Sequence, residues 1–322
     1  MSLQKPPTQN RPSRMMLRIF TLMILGLAAG VAVWTSVTNQ RIDLTEDIPA
    51  GAIELVDAST VGDLRINVVT EPGGPVPVIL LHERDVVGSA LWNDVAAGLG
   101  GRFQAVKVDL PGYGLSDRLP DEGPAHTVAS MARVVSAVIE ERFDLPVVVV
   151  GAGLGGKVAA EVAVSNPGIV RGVVLVDVDF WEVDGWAEIV ERLPWIGRAA
   201  TFTLETGGRF ALDMWAPNCD TGGWCPSQEH LAARKIATTI NGSTDTMRSF
   251  LRTQPSALVP SDLSKITAPV VFVWSKDGGV DAESVDRVKA ELPGMTVTEV
   301  DVWKAYLESP SAVSEAVDMV GR

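Results

Sequence analysis

Residues 147–164 read "VVVVGAGLGGKVAAEVAV", a valine run that enters a glycine-rich turn and continues as a helix pattern. The fold depends on how that turn is read. Gly151, Gly153 and Gly156 satisfy G-x-G-x-x-G, and Asp177 follows after "VRGVVLV". In that reading the turn cradles a pyrophosphate at a helix N-terminus, and an acid about 20 residues on holds a ribose. The same "GAGLGG" also has the outline of a nucleophile elbow, G-x-S-x-G, with Gly153 where the serine would stand. The two readings imply different chemistry.

Around the turn, strand and helix patterns alternate, as a mostly parallel sheet requires. Strand patterns lie at 53–58, 64–71, 76–82, 104–109, 146–150, 172–178, 269–274 and 297–302, the first two close enough for a hairpin. Several are near-continuous apolar runs, as strands covered on both faces should be. Helix patterns lie at 90–99, 127–142, 156–165, 282–292 and 311–320. Between 180 and about 267 the alternation lapses into a tryptophan-rich segment, read as an insertion. A dinucleotide-binding unit normally opens its domain, whereas several strands precede this turn.

The other motifs decide the matter. "VPVILLHERDVVGSALWNDVAAGL" looks like the third strand, His-Gly turn and Gly-Ser…Trp approach of the α/β-hydrolase fold family. "VKVDLPGYGLSD" is similar to that family's D-x-P-G-x-G-x-S turn, and the opening stretch through "SNPGIVRGVVLVD" resembles its elbow, helix and next strand. "VFVWSKDGG" resembles the turn that presents the triad acid, and "VWKAYLESPSAVSEAV" the segment that carries the histidine and the final helix. Five ordered motifs outweigh one glycine pattern. The resemblance covers nearly all of 53–322. It implies an α/β-hydrolase fold: an eight-stranded, mostly parallel sheet with helices on both faces and a cap insertion at about 180–267. A dinucleotide-dependent oxidoreductase stays as the remote alternative.

The resemblance also implies a site, and the site departs from the family's. A serine hydrolase needs a nucleophile, a histidine to take its proton and an acid to orient the histidine. Carried over, the nucleophile falls on Gly153, which has no side chain, and the histidine on Trp303, five residues before Glu308. Indole is a donor with no basic nitrogen near neutral pH. The acid falls on Asp277, with Asp281, Asp177 and Asp179 as other registers. One oxyanion donor is the Leu154 amide. The other comes from the His-Gly turn, where Glu83 replaces the glycine and brings a carboxylate to where negative charge would develop. No catalytic set is intact, and ordinary ester hydrolysis is not expected. A relocated active site would have to join His230 to a new nucleophile such as Ser275. His82 holds the family's structural position and His126 opens a helix. No ligand spacing marks a metal site, and no cofactor is implied.

Net charge is -13, while residues 1–37 carry Lys5, Arg11, Arg14 and Arg18 and no acid. The rest of the chain therefore holds -17, the total less this segment's +4. Such an acidic domain repels nucleic acid, which is excluded as a partner. Residues 1–14 read as a cytoplasmic basic tail and 15–37 as a transmembrane signal anchor. The apolar run 19–37 would span ~28 Å as a helix, close to the ~30 Å hydrocarbon core. Positive charge precedes it, which places the domain outside the cytoplasm on a single-pass membrane protein. A cleaved signal, giving a secreted protein, is the rival.

Residues 38–52 read as a linker. Cys219 and Cys225, in "NCDTGGWCPS", are expected to form a local disulfide in that oxidising compartment. Trp181, Trp186, Trp195, Trp215 and Trp224 either pack the cap onto the core or line a dry apolar pocket with Trp303. The expected protein is a pseudo-hydrolase that binds an apolar small molecule under the cap or a protein partner. An active esterase or lipase-type hydrolase with an unconventional site is the alternative.

Overall fold

In a computed structural model, the residues described are 23, 26, 30, 54–58, 62–85, 87–119, 127–181, 225–243, 246 and 262–322. Strand β6 (Val147–Ala152) is buried along its whole length. Its side chains alternate between two cores, Val147 and Val149 in one, Val148 and Val150 in the other. β4 (Val76–Leu81) and β7 (Val170–Val176) divide their side chains in the same way. A strand apolar at every position thus serves a sheet covered on both faces.

The central sheet has seven strands in the order β3-β5-β4-β6-β7-β8-β9. The remaining members are β3 (Val68–Thr70), β5 (Phe103–Val108), β8 (Val270–Ser275) and β9 (Thr296–Val300). All pairs are parallel except β3 with β5. The elbow strand lies mid-sheet.

The segment 64–71, expected as one strand of an eight-stranded sheet, is divided. β1 (Glu54–Ala58) and β2 (Gly62–Ile66) form the expected hairpin, but as a separate two-stranded ladder. The break falls at buried Asn67, whose amide leaves the ladder to donate to Ser116 Oγ (3.0 Å) and whose side chain donates to Asp109 (2.7 Å). A buried side-chain partner here outcompetes sheet continuation.

Helices cover both faces. α1 (Asn93–Gly98) follows a 3₁₀ turn at Gly88–Trp92, and α6 (Ala305–Glu308) leads into α7 (Pro310–Val320). Trp92, Val95, Tyr306, Val313 and Val317 from these elements fill one core. α2 (Val128–Arg142), α3 (Leu154–Ser165) and α5 (Ala282–Glu291) fill the other through Val135, Val158 and Val288. Thr127 caps α2 and Asp281 caps α5, each accepting from the amide three residues on. Asp281 is thereby a helix cap, and that hydrogen bond holds its carboxyl below the usual range. Of the insertion, α4 (Gln228–Thr239) is described, capped by Ser227.

The chain divides into Met1–Arg41 and Ile42–Arg322. Of the first unit Met23, Gly26 and Gly30 are described, all helical and exposed. Among the described residues no helix is long and apolar enough to cross a membrane. The rest of the expected anchor, the linker at 38–52 and most of the cap lie outside them.

Candidate active site

β6 runs into the turn at Gly153, which has φ 49° and ψ -114°, and α3 begins at the next residue. That is the left-handed side of backbone space, where a side chain is strained and glycine is not. The turn is tight on every side. A side chain at Gly155 would run into the carbonyl of Leu81, and one at Gly156 into Val178. One at Gly151 would strike the backbone of Gly155. The glycines that spell a dinucleotide fingerprint are thus explained by strand-to-helix packing.

Glu83, two residues beyond β4, lies directly against the turn. A Cβ built on Gly153 would sit 3.1 Å from Glu83 Cβ and 3.7 Å from Glu83 Oε2. Glu83 Oε1 accepts a hydrogen bond from the Tyr306 hydroxyl (2.7 Å) and is ion-paired with the Lys304 ammonium. Oε2 has no partner among the described residues. Tyr306 is buried against Trp92, ring centroids 5.2 Å apart. Burial, with the adjacent Glu83 charge, pushes its hydroxyl far above the usual phenol range. It remains a hydrogen-bond donor.

The backbone of Glu83 is fixed from behind by buried His82. Its Nε2 accepts the Leu110 N–H at 3.0 Å, which leaves the proton on Nδ1, 2.6 Å from the Glu83 carbonyl. Burial holds its pKa below the ordinary value, so the ring stays neutral. Leu110 follows Asp109, whose carboxylate accepts from Asn67, the Ser89 amide and the Leu115 amide. The Asp-Leu-Pro-Gly turn is thus a buried hub that holds up the oxyanion turn. The amides of Glu83 and Leu154 have no acceptor among the described residues.

The other predicted residues are found as follows. Trp303 is 50% exposed, with the Lys304 ammonium 5.1 Å from its ring centre and its own amide on Glu308 (2.8 Å). Asp277 lies in the turn that bonds Val302, but its side chain is exposed and no hydrogen bond ties it to the site among the described residues. Asp177 is the acid joined to the Trp303 segment. It accepts from the Ser275 amide (2.7 Å) and Ser275 Oγ (2.6 Å), and that Oγ accepts the Ala305 amide (2.8 Å). Burial raises the Asp177 pKa against these hydrogen bonds. Asp177 is also the one non-glycine with positive φ among the described residues, at 49°. Asp179 instead accepts from Trp181 and Ser284.

Among the described residues no hydrogen bond joins the relocated pair. Ser275 is fully buried with its hydroxyl engaged, and His230, on α4, has Asp85 and Arg234 as its charged neighbours. Nor is the floor dry and apolar, since Glu83, Lys304 and Tyr306 place charge against the elbow. Trp181 packs on the core under the Arg287 guanidinium, 4.0 Å from its ring centre. Trp186, Trp195, Trp215 and Trp224 lie outside the described residues. Cys225 is disulfide-bonded, and the chain's other cysteine, Cys219, also lies outside them. Among the described residues no cluster of His, Cys, Asp and Glu suits a metal ion. Sequence reasoning missed Lys304 and Tyr306, whose partner Glu83 is more than 200 positions away.

Comparison with known proteins agrees with the fold. Haloalkane dehalogenase 2 of Mycobacterium tuberculosis is 34% identical over 263 residues, covering 79% of this chain and 90% of that protein. An esterase of Mycobacterium tuberculosis is 32% identical over 282 residues, covering 84% and 89%. Among solved structures, an epoxide hydrolase superposes with a TM-score of 0.64 at 19% identity, covering 83% of this chain and 96% of that one. A haloalkane dehalogenase from Agrobacterium tumefaciens does so with a TM-score of 0.62, also at 19% identity, covering 83% and 94%. These last two likenesses speak for the fold. The family model described as the alpha/beta hydrolase family matches residues 68–316, and the chain belongs to that family.

Proposed function

We propose that this chain is a non-catalytic alpha/beta hydrolase that uses the site around the elbow for binding, held at the outer face of a membrane by residues 15–37. One observation carries the first part. Where a nucleophile's side chain would stand there is Gly153, and the adjoining space is taken by the Glu83 side chain, itself anchored by Lys304 and Tyr306. Trp303, at the histidine's position, supplies no base. A carboxylate beside the oxyanion amides opposes the charge that acyl transfer develops there. In serine hydrolases, loss of triad members costs on the order of 10⁶ in rate.

The relatives are named for dehalogenase and esterase activity, so the test uses both substrate types. The purified full-length chain, given p-nitrophenyl butyrate or 1-chlorobutane, should show no turnover above buffer. A fluorophosphonate probe should leave it unlabelled. Turnover that survives purification and disappears in Glu83→Gln would reverse the proposal in favour of carboxylate chemistry. That second reading is favoured by one observation, an Oε2 beside the elbow with no partner among the described residues.

The anchor rests on the apolar run and its positive flank. The mature chain should fractionate with membranes after carbonate washing and keep residues 15–37. A mature N-terminus found near Val33 would identify a cleaved signal.

A further inference from the structure

The chemistry of the Glu83 cluster narrows what the elbow can hold. We infer that this site selects a neutral hydroxyl headgroup on an apolar tail, and rejects the carboxylates for which a hydrolase's oxyanion site is suited. The inference rests on the binding role proposed above. The cluster offers a ligand two kinds of partner. Glu83 Oε2 is an acceptor, 3.7 Å from the Cβ position of Gly153, while the carboxylate's other oxygen is engaged by Lys304 and Tyr306. The amides of Glu83 and of Leu154, the residue after Gly153, are donors with no acceptor among the described residues.

A ligand group that satisfies both must donate and accept. A carboxylate only accepts, and would meet the Glu83 charge. An ammonium only donates, which leaves the amides unmet. It would also face Lys304, already stationed 5.1 Å from the Trp303 ring centre and 5.6 Å from that of Tyr306. A hydroxyl donates to Oε2 and accepts from an amide, and brings no charge. The half-exposed Trp303 ring beside it gives an alkyl tail an apolar wall.

The test titrates the full-length chain in detergent with 1-hexanol, hexylammonium and hexanoate, by calorimetry with detergent-only blanks. Hexanol should bind at least about tenfold more tightly than either ion. In Glu83→Gln the side-chain carbonyl stays on Lys304 and Tyr306 and an NH2 donor replaces Oε2, so hexanol should lose affinity by about tenfold, whereas hexanoate, facing a Lys304 without its counter-charge, should gain about tenfold or more. Hexanoate binding as tightly as hexanol to the wild-type chain overturns the inference, and that comparison needs no variant. Tightest binding by hexylammonium overturns it too, and so does binding of none of the three. The same samples are assayed for p-nitrophenyl butyrate turnover. Turnover defeats the non-catalytic reading, whereas loss of selectivity without turnover defeats this inference alone.

Discussion

At the residue scale, Glu83 and a side chain at position 153 compete for one volume. The 3.1 Å contact that a Cβ on Gly153 would make is with the Cβ of Glu83, not with the movable end of its side chain. Gly153→Ser should therefore destabilise by about 1–3 kcal/mol, from the strained φ together with the contact. Glu83→Gly has its own cost, about 1–3 kcal/mol, because it leaves the buried Tyr306 hydroxyl unpaired. The two should not add. With Glu83 gone the serine has room, and a double-mutant cycle in urea should give a favourable coupling of about 0.5–3 kcal/mol. Strict additivity would mean that Glu83 does not restrict the elbow. Activity should follow in steps. Gly153→Ser alone should stay inert, and adding Glu83→Gly and Trp303→His should give weak cleavage of an activated ester. Asp177 and Asp277 are the acids then available to orient the new imidazole. The Asp277 reading came from motif register, whereas the hydrogen bonds join Asp177 to the segment carrying position 303. Replacing each by Asn in the triple variant, and comparing rates, decides between them.

At the element scale, α4 is the part of the cap whose attachment can be followed. Arg118 reaches it from the core, donating to Ser243 Oγ (2.8 Å) and the Ala237 carbonyl (3.1 Å). It also donates to the carbonyls of Tyr113, Ser116 and Gly114. Asn93 donates to Glu229 (3.0 Å), and Arg234 lies 3.4 Å from Asp85. Arg118→Ala removes the hub of this attachment and strands several carbonyls. A loss of about 2–4 kcal/mol in local opening energy is expected, read as faster amide exchange in α4 with β4 and β6 unchanged. Uniform acceleration through the sheet would show that Arg118 supports the whole fold. The Cys225 disulfide precedes the Ser227 cap of the same helix. If Cys219 is its partner, the loop is short and worth ~2–3 kcal/mol or less, so reduction should also loosen α4 first. The elements themselves were legible because their signals are local: near-continuous valine runs, helix patterns between them and close-packed glycines, whereas Asp281, weighed as a triad acid, is the cap of α5. The division at Asn67 was not, because the partner that draws its amide away, Ser116, is 49 positions on.

At the scale of the whole molecule, the family could be read from five short motifs, but the state of the site could not. Gly153 and Trp303 stand where the motif register puts the family's nucleophile and histidine. What surrounds them depends on Lys304 and Tyr306 folding onto Glu83, a long-range pairing of long side chains with no periodic signature. His82 was legible as structural, and it gives the molecule a pH dependence. Burial holds the pKa of His82, and that of His230, below the ordinary value of 6.5, so each is more readily protonated in the unfolded chain. Between the depressed pKa and 6.5 the unfolded state binds more protons, and stability rises with pH through that window. The contribution is complete above about 6.5 and is lost as the pH falls below it, by at most ~1.4 kcal/mol per pH unit for each group. Asp177 acts with the opposite sign. Its raised pKa makes the folded state the stronger proton binder, so stability falls as pH rises from the unfolded value of 3.8. The His82 share can be isolated, because protonation would break the bond that Nε2 accepts from Leu110. His82→Gln should be less stable than wild type at about pH 7.5 and should lose less on going to about pH 5.5. Urea unfolding followed by tryptophan fluorescence at the two pH values measures both differences. Equal losses in wild type and variant would mean that the folded protein tolerates a charged ring at position 82, and that the oxyanion turn is not held by a neutral imidazole.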